Sequence, residues 1–366
     1  MKFTDKNQNK RNKNPKKNSE DLLRDPIFFQ QETDEDVVLN LSLRPLEFRD
    51  FIGQEKIKEN LKIAICAAKS RSEPLEHIIL SGPPGLGKTT LAHIIAHEMG
   101  TKITATSGPA IERAGDLIGI LTNLEQGDIL FIDEIHRLSK IVEEFLYPAM
   151  ENYTIDFVID KGPYAKTIKF NLKPFTLIGA TTRSGLLSAP LRSRFGMYYH
   201  LDFYPWQELV EIIEKSSKVL EMNLDKNSAV LIAKRSRGTP RVANRLLRRV
   251  RDYAQVKTKG EISAQITETA LNLQGVDNLG LDEIDRKVLK VILDTYHGGP
   301  VGIESLAATL NEESDTIVDV VEPYLLKIGL LKRGPRGRQA TRYAYEHLGL
   351  QYNKAQQKEL FKKDGK

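Results

Sequence analysis

The stretch SGPPGLGKTT, residues 81–90, fits the phosphate-binding pattern G-x-x-x-x-G-K-[ST]. Its glycines allow successive backbone N–H groups to point at phosphate oxygens, and the helix that follows adds the positive end of its dipole. We expect Lys88 to reach the β and γ phosphates of ATP and the Thr89 hydroxyl to ligate Mg²⁺. An apolar run at residues 77–80 predicts the strand that this loop needs before it, and residues 91–99 predict the helix after it.

A second apolar run, residues 127–134, predicts a strand that ends in two carboxylates. Asp133 is placed to contact Mg²⁺, and Glu134 is placed to polarise the water that attacks the γ-phosphate. Another buried strand, residues 175–180, ends in Thr181 and Thr182, and a hydroxyl there can lie between Glu134 and the γ-phosphate. Short apolar strands that alternate with helices predict an α/β fold with a parallel sheet covered on both faces, and functional residues at the C-terminal ends of its strands.

Composition sets outer limits on the class of protein. The chain has 366 residues, which predicts two or three domains, and a net charge of +5. The first 20 residues carry seven basic and two acidic side chains, so the remainder is balanced and any DNA contact must come from local clusters. The single cysteine, Cys66, excludes an intramolecular disulfide and is expected to be a small core residue of a helix. No run is long enough to span a membrane and no metal-cluster spacing is seen, so we expect a soluble cytoplasmic protein.

The sequence divides into several regions. Residues 1–36 predict a disordered basic tail, and residues 37–204 a large α/β domain with a β-hairpin inserted at 153–172. Residues 205–275 predict helices only, residues 278–350 a winged helix-turn-helix domain, and residues 351–366 a C-terminal tail. On the residues alone, the hairpin either covers its own sheet or offers a docking face to a partner.

The predicted wing is basic. Residues 330–333 and 340–343 read as its two strands, and Arg333, Arg336 and Arg338 are its candidate DNA-binding residues. Glycines at the turn allow close approach of the backbone to a phosphate strand, and no base-reading pattern is apparent. We therefore expect sequence-independent, salt-sensitive binding to DNA.

Four segments resemble the AAA+ ATPases, and most closely the RuvB family of bacterial Holliday-junction branch-migration motors. They are GPPGLGKTT at 82–90, ILFIDEIHRL at 129–138, IGATTRSGLLSAPLRSRF at 178–195 and RGTPRVANRLLRRVRDYA at 237–254. The resemblance extends from about residue 43 to 348 and includes the ending EPYLLKIGLLKRGPRGR at 322–338. Two departures are the lysine-rich N-terminal extension and Gly334, where the pattern usually has threonine.

The resemblance implies a role for each matching residue. Thr182 would be the first sensor of the γ-phosphate, Arg194 a finger inserted into a neighbouring subunit's site, and Arg241 the second sensor. The implied catalytic residues are Lys88, Asp133, Glu134, Thr182 and Arg194, with Thr89 and Asp133 at the metal. The implied ATP contacts are Leu43, Arg44, Gly85, Gly87, Lys88, Thr89, Thr90, Glu151, Asn152, Tyr153, Arg194, Tyr204 and Arg241.

The resemblance also implies partners and a function. A finger that acts in trans implies a ring, which in this family is a homo-hexamer. The hairpin would dock a RuvA-like junction-binding protein, and a RuvC-like resolvase is a further partner. The expected function is ATP-driven translocation of double-stranded DNA and branch migration in recombination and DNA repair.

Two rival functions retain the ATP site. One is a clamp-loader or protein-remodelling AAA+ ATPase whose terminal domain binds protein. The other is a nucleotide-switched transcription regulator that uses the winged helix on a specific operator, and the missing base-reading pattern argues against it.

Overall fold

The computed structural model describes residues 43–159 and 166–352. The predicted basic tail at 1–36, the turn of the inserted hairpin and all of the C-terminal tail after residue 352 lie outside the described residues. Within the described part, no helix is both long enough and apolar enough to cross a membrane.

A five-stranded parallel sheet organises the large domain, in the strand order β2-β3-β6-β1-β7. Three of its strands are apolar and almost completely buried, as their sequences predict: β1, β3 and β6. The sheet strands are β1 (Ile78–Ser81), β2 (Ile103–Ser107), β3 (Ile129–Asp133), β6 (Thr176–Thr181) and β7 (Met197–His200). The edge strand β7 was not predicted, because its four residues are half-buried or exposed and do not form an apolar run like those of the central strands.

Helices cover both faces of this sheet, which confirms the predicted fold class. Successive residues of β1 point into different apolar clusters: Ile78 and Leu80 into one, Ile79 into the other. The helices of the large domain are Glu55–Arg71, Lys88–Met99, Ala114–Thr122, Lys140–Asn152 and Ala189–Arg192. The inserted hairpin consists of β4 (Thr154–Ile159) and β5 (Lys166–Asn171), paired antiparallel.

The expectation for Cys66 was wrong. This thiol is exposed, whereas Leu61, Ile65 and Ala68 of the same helix are buried. One residue advances an α-helix by about 100°, so the neighbour of an inward-facing isoleucine is turned away from the core.

The small domain is entirely helical, as predicted. Its helices are Trp206–Val219, Lys226–Arg235, Pro240–Lys257 and Ala264–Leu273. Their apolar residues, among them Leu209, Ile213 and Leu246, belong to the same core cluster as Ile78 and Leu80 of β1. The small domain therefore continues one face of the large domain.

The third domain is a winged helix with its own core around Val288, Leu306 and Leu325. Its regular helices are Glu283–Asp294, Ile303–Leu310 and Arg342–His347. A further helical run consists of α-helix at Ser314–Thr316, π-helix at Ile317–Val321 and α-helix at Glu322–Lys327. The wing strands are β8 (Leu331–Gly334) and β9 (Gly337–Ala340). One expectation is corrected. The second wing strand spans residues 337–340 and not 340–343, because Thr341 Oγ1 donates to Gly329 O and a helix begins at Arg342.

Candidate active site

The phosphate-binding loop connects β1 to helix Lys88–Met99. Its backbone needs glycine: Gly82, Gly85 and Gly87 have φ of 136°, 79° and 96°. A Cβ at Gly82 would also lie 2.4 Å from the carbonyl oxygen of Leu201. The loop is held to the sheet because Gly82 N donates to Thr181 O at 3.1 Å.

Lys88 is buried beneath this loop. Its Nζ donates to the carbonyl oxygens of Gly82 (2.8 Å) and Pro83 (2.9 Å). Burial lowers the pKa of Lys88 to about 8, while the carboxylates of Asp133, Glu134 and Asp319 act to raise it. An ammonium in this position favours binding of an anion.

A cavity of about 820 Å³ opens around the loop. It is lined from four directions: by the N-terminal segment, by the loop, by the end of β3 and by the small domain. The predicted ATP, metal and catalytic residues in this lining are Leu43, Arg44, Gly85, Gly87, Lys88, Thr89, Thr90, Asp133, Glu134, Tyr204 and Arg241. A cavity of this size suits a nucleotide.

The carboxylate pair lies at the C-terminal end of β3. Asp133 Oδ1 accepts a hydrogen bond from Glu134 N (2.9 Å), and Glu134 adopts a left-handed backbone with φ of 47°. Glu134 Oε2 accepts a hydrogen bond from Thr182 Oγ1 at 3.2 Å. The hydroxyl predicted at the end of β6 therefore touches the predicted water-activating carboxylate.

His136 is a site residue that the sequence did not identify. Its Nδ1 lies 3.2 Å from Glu134 Oε2 and 2.9 Å from Thr181 Oγ1. Burial lowers the pKa of His136, against the opposing field of Glu134. The Glu134 carboxylate thus lies beside both the Thr182 hydroxyl and an imidazole. The only signal in the sequence was a histidine two residues after the glutamate.

Arg241 connects the small domain to the loop. Its backbone N donates to Gly85 O at 3.3 Å, and a Cβ at Gly85 would lie 3.0 Å from Arg241 Cβ. Tyr204 also touches the loop, since its hydroxyl donates to Leu86 O at 3.4 Å, and burial raises the pKa of this phenol. The small domain therefore forms one wall of the nucleotide cavity.

Four predicted ATP residues lie outside this cavity: Glu151, Asn152, Tyr153 and Arg194. Arg194 Nη2 forms an ion pair with Glu151 Oε1 at 3.0 Å. The Tyr153 ring packs edge-on against Phe175, with ring centroids 5.9 Å apart. The structure therefore brings Arg194 and Glu151 together, but not onto the phosphate loop of their own chain.

The described residues contain no cluster of three or more His, Cys, Asp or Glu side chains that could hold a metal. Magnesium needs less, because one or two protein oxygens, the nucleotide phosphates and water complete its octahedron. Thr89, which carries a hydroxyl, and Asp133, which carries a carboxylate, both line the cavity. These donors fit Mg²⁺ bound together with ATP.

The wing residues differ in exposure. Arg333 and Arg336 are exposed near the tip, whereas Arg338 is 7% exposed. The Arg338 guanidinium donates through Nε (3.2 Å) and Nη2 (2.9 Å) to Glu322 Oε2. The expectation that Arg338 contacts DNA is corrected, because this guanidinium is occupied inside the domain.

Three family models match consecutive parts of the chain: the Holliday junction DNA helicase RuvB P-loop domain over residues 43–201, the RuvB AAA lid domain over 204–277 and the RuvB C-terminal winged helix domain over 278–349. The chain is 59% identical over 333 residues to the Holliday junction branch migration complex subunit RuvB of Dehalococcoides mccartyi, covering 90% of this chain and 95% of that protein. It is 57% identical over 324 residues to the subunit of the same name from Desulfosudis oleivorans, covering 88% and 94%.

Solved structures agree with these sequence matches. The RuvB Holliday junction branch migration motor of Thermotoga maritima has a TM-score of 0.79 and 51% identity to this chain, covering 85% of this chain and 100% of that one. Sequence, domain order and fold together show that the chain belongs to the RuvB family.

Proposed function

We propose that the protein is an ATP-driven ring motor that translocates double-stranded DNA and drives branch migration at Holliday junctions, in recombination and DNA repair. The observation that carries this proposal is the single cavity in which Lys88, Thr89, Asp133, Glu134 and Arg241 meet. The relatives named above are subunits of Holliday junction branch migration complexes.

Hydrolysis depends on placing charge around the γ-phosphoryl group and on orienting a water. Thr89 and Asp133 would hold Mg²⁺, which neutralises charge on the phosphates when bound. Lys88 binds the β and γ phosphates, and Glu134 orients the attacking water. Thr182 fixes the carboxylate of Glu134 by a 3.2 Å hydrogen bond, so this base is preorganised before ATP arrives.

We assign Arg194 as a finger that completes the site of a neighbouring subunit. Its place outside the cavity of its own chain supports this assignment. Glu151 pairs with Arg194, and Asn152 and Tyr153 follow Glu151 in the chain, so we assign all three to the same boundary between subunits. A residue that acts in trans requires a neighbouring subunit, head-to-tail contacts that close form a ring, and we propose a homo-hexamer.

The small domain couples the nucleotide to motion. Arg241 touches the phosphate loop through Gly85, so loss of the γ-phosphate changes the contacts that hold this domain in place. Branch migration breaks and remakes base pairs of about 1.4 kcal/mol per step, with a net cost near zero. ATP therefore supplies direction and speed.

The β4–β5 hairpin is the proposed docking site for a RuvA-like junction-binding protein. Phe170 on β5 is 45% exposed, whereas Ile155, the residue paired with it on β4, is fully buried. The resemblance to the RuvB family, together with this exposed apolar side chain, favours docking over self-cover. A RuvC-like resolvase is a further proposed partner, and we place the protein in the cytoplasm with its DNA.

The test is strand exchange of a synthetic four-way junction, measured with ATPase rate, with and without a RuvA-like protein. The proposal predicts exchange that requires ATP and is lost in Glu134→Gln, a variant that keeps the shape of the side chain. ATP turnover that is indifferent to DNA but stimulated by a protein substrate would instead support a clamp-loader or protein-remodelling ATPase.

A further inference from the structure

Arg183, the residue after Thr182, connects the ATPase sheet to the winged helix. Its guanidinium grips Asp319 with two bonds, Nε to Oδ1 at 2.6 Å and Nη2 to Oδ2 at 2.9 Å, and Nη2 also donates to Asp315 Oδ1 at 2.9 Å. A bidentate arginine–carboxylate pair fixes direction as well as distance. Consecutive Cα atoms are about 3.8 Å apart, so a shift of Thr182 moves the root of this side chain.

Arg237 makes a second connection, from the small domain. It precedes Arg241 by four residues, and its Nη1 donates to Asp285 Oδ2 at 3.0 Å. Its Nη2 donates to Val320 O at 3.0 Å, and its guanidinium lies 4.9 Å from the ring centroid of Tyr324. All three contacted residues belong to the winged-helix domain.

Both arginines bind within one five-residue stretch, the π-helical segment Ile317–Val321. Arg183 binds the side chain of Asp319, and Arg237 binds the carbonyl of the next residue, Val320. Pro323 follows this segment and has no N–H, so a regular α-helical ladder cannot pass through it. Single-turn π-segments of this kind are local departures from helix geometry that often occur at functional sites.

The two contacts differ in burial. Arg237 is 5% exposed and Asp285 is fully buried, whereas the side chains of Arg183, Asp319 and Asp315 are 21%, 26% and 66% exposed. A buried pair is costly to separate, while a partly hydrated one exchanges its partners more readily. The Arg237 contacts therefore have the properties of a fixed connection, and the Arg183 contacts those of a connection that can be released.

We propose that Arg183 and Arg237 are positioning residues that carry the nucleotide state at Thr182 and Arg241 to the winged helix through residues 317–321. The inference rests on the proposed function. When the γ-phosphate changes the Thr182–Glu134 contact, Arg183 pulls on Asp319 and the winged helix turns about the Arg237 anchor. Changes at Thr182 and at Arg241 thereby both reach the winged helix through residues 317–321.

A distance measurement tests the Arg183–Asp319 contact without DNA. The only cysteine, Cys66, is exposed on the large domain, and Tyr343→Cys adds an exposed position on the winged helix. Spin labels at these two positions report the separation of the domains. Arg183→Glu should lengthen and broaden the distance distribution, and the swap Arg183→Glu with Asp319→Arg should restore most of it. A distribution unchanged by Arg183→Glu would overturn the proposal.

A kinetic measurement tests the transmission. Arg183→Ala and Asp319→Ala should each lower DNA-stimulated kcat by about 2- to 30-fold with KM for ATP retained, and the double variant should be no worse than either single one. Arg71→Ala is the matched control, because its 2.6 Å pair with Glu73 lies within one domain. Additive losses, or equal loss in the control, would refute transmission. A wild type that DNA does not stimulate would refute the proposed function instead, and the spin-label distances would still decide the inference.

Discussion

Arg194 and Glu151 form an ion pair of 3.0 Å within one chain, and the Arg194 guanidinium lies 4.4 Å from the ring centroid of Tyr147. Nη1 of Arg194 also donates to Pro190 O at 2.6 Å. These contacts pre-position the guanidinium at a place apart from the nucleotide cavity of the same chain. Because its own subunit already holds this guanidinium in place, the proposed finger would lose little side-chain entropy on meeting a neighbouring site.

Arg194→Ala should abolish ATP turnover and leave ATP binding nearly intact. A finger arginine contributes about 10³- to 10⁵-fold to the rate, because it stabilises charge that appears in the transition state. Steady-state ATPase and equilibrium binding of a fluorescent ATP analogue measure the two quantities. Arg192→Ala is the control. Arg192 is two residues before Arg194, and its guanidinium lies over the ring of Tyr198. Retained hydrolysis in Arg194→Ala would remove the finger assignment.

Thr182→Val should lower kcat by about 10- to 100-fold with little change in KM. Valine keeps the shape but removes the hydrogen bond to the Glu134 carboxylate, and bonds to charged groups contribute about 1.5–3 kcal/mol. Thr176→Val, at the other end of β6, is the matched control. It breaks a buried bond to Leu75 O and should lower the free energy of unfolding by about 1–3 kcal/mol without changing kcat. Equal kinetic effects in both variants would argue against a role for Thr182 in orienting Glu134.

Arg333→Ala and Arg336→Ala should weaken DNA binding equally for all sequences. Each lost phosphate contact should reduce the slope of log K against log salt by about 0.9, measured by fluorescence anisotropy at several salt concentrations. An unchanged slope in both variants would place the DNA site elsewhere.

Arg338→Ala should act on stability instead. Removing this arginine deprives Glu322, which is 2% exposed, of both hydrogen bonds to its Oε2 and leaves it with the longer 3.8 Å ion pair to Arg333, so we expect a loss of up to about 3–5 kcal/mol in the free energy of unfolding. Adding Glu322→Gln should recover part of that loss. Denaturant unfolding of the single and double variants checks both statements, and a fully stable Arg338→Ala protein would contradict them.

His77 should make the protein acid-sensitive. Its Nδ1 accepts from Leu177 N (2.9 Å), its Nε2 lies 3.1 Å from Met150 O, and burial lowers its pKa below the usual 6.5. Below pH 6.5 the unfolded chain therefore binds more protons than the folded protein. The free energy of unfolding then decreases as the pH is lowered, by at most about 1.4 kcal/mol per pH unit. His77→Asn keeps an acceptor for Leu177 but does not titrate. Unfolding free energies between pH 5 and 7.5 should show a flatter profile for this variant, and identical profiles would exclude His77 as the cause.

Local patterns predicted the parts of the site that are close in sequence. The glycine spacing at 82–87 and the buried runs of β1, β3 and β6 each depend on neighbouring residues, so loop, strands and helix follow from short segments. The meeting of Glu134 with Thr182 was expected because parallel strands end at one edge of the sheet.

Side-chain pairs between distant segments were beyond such patterns. Arg338 reads as a surface arginine of a basic wing, yet Glu322, on the preceding helix, draws it inward. Arg183 meets Asp319 across 136 positions of the chain. Which charges pair across domains is decided by how the domains pack, and no spacing rule encodes that.

Mixing two inactive variants tests the central claim most directly. Glu134→Gln keeps Arg194 but does not activate water, and Arg194→Ala keeps an intact pocket but has no finger. If the finger acts between subunits, rings assembled from equal amounts of the two should regain ATPase at about a quarter of their interfaces. Recovery that rises and falls with the mixing ratio is the result we predict. No recovery at any ratio would contradict a site shared by neighbouring subunits.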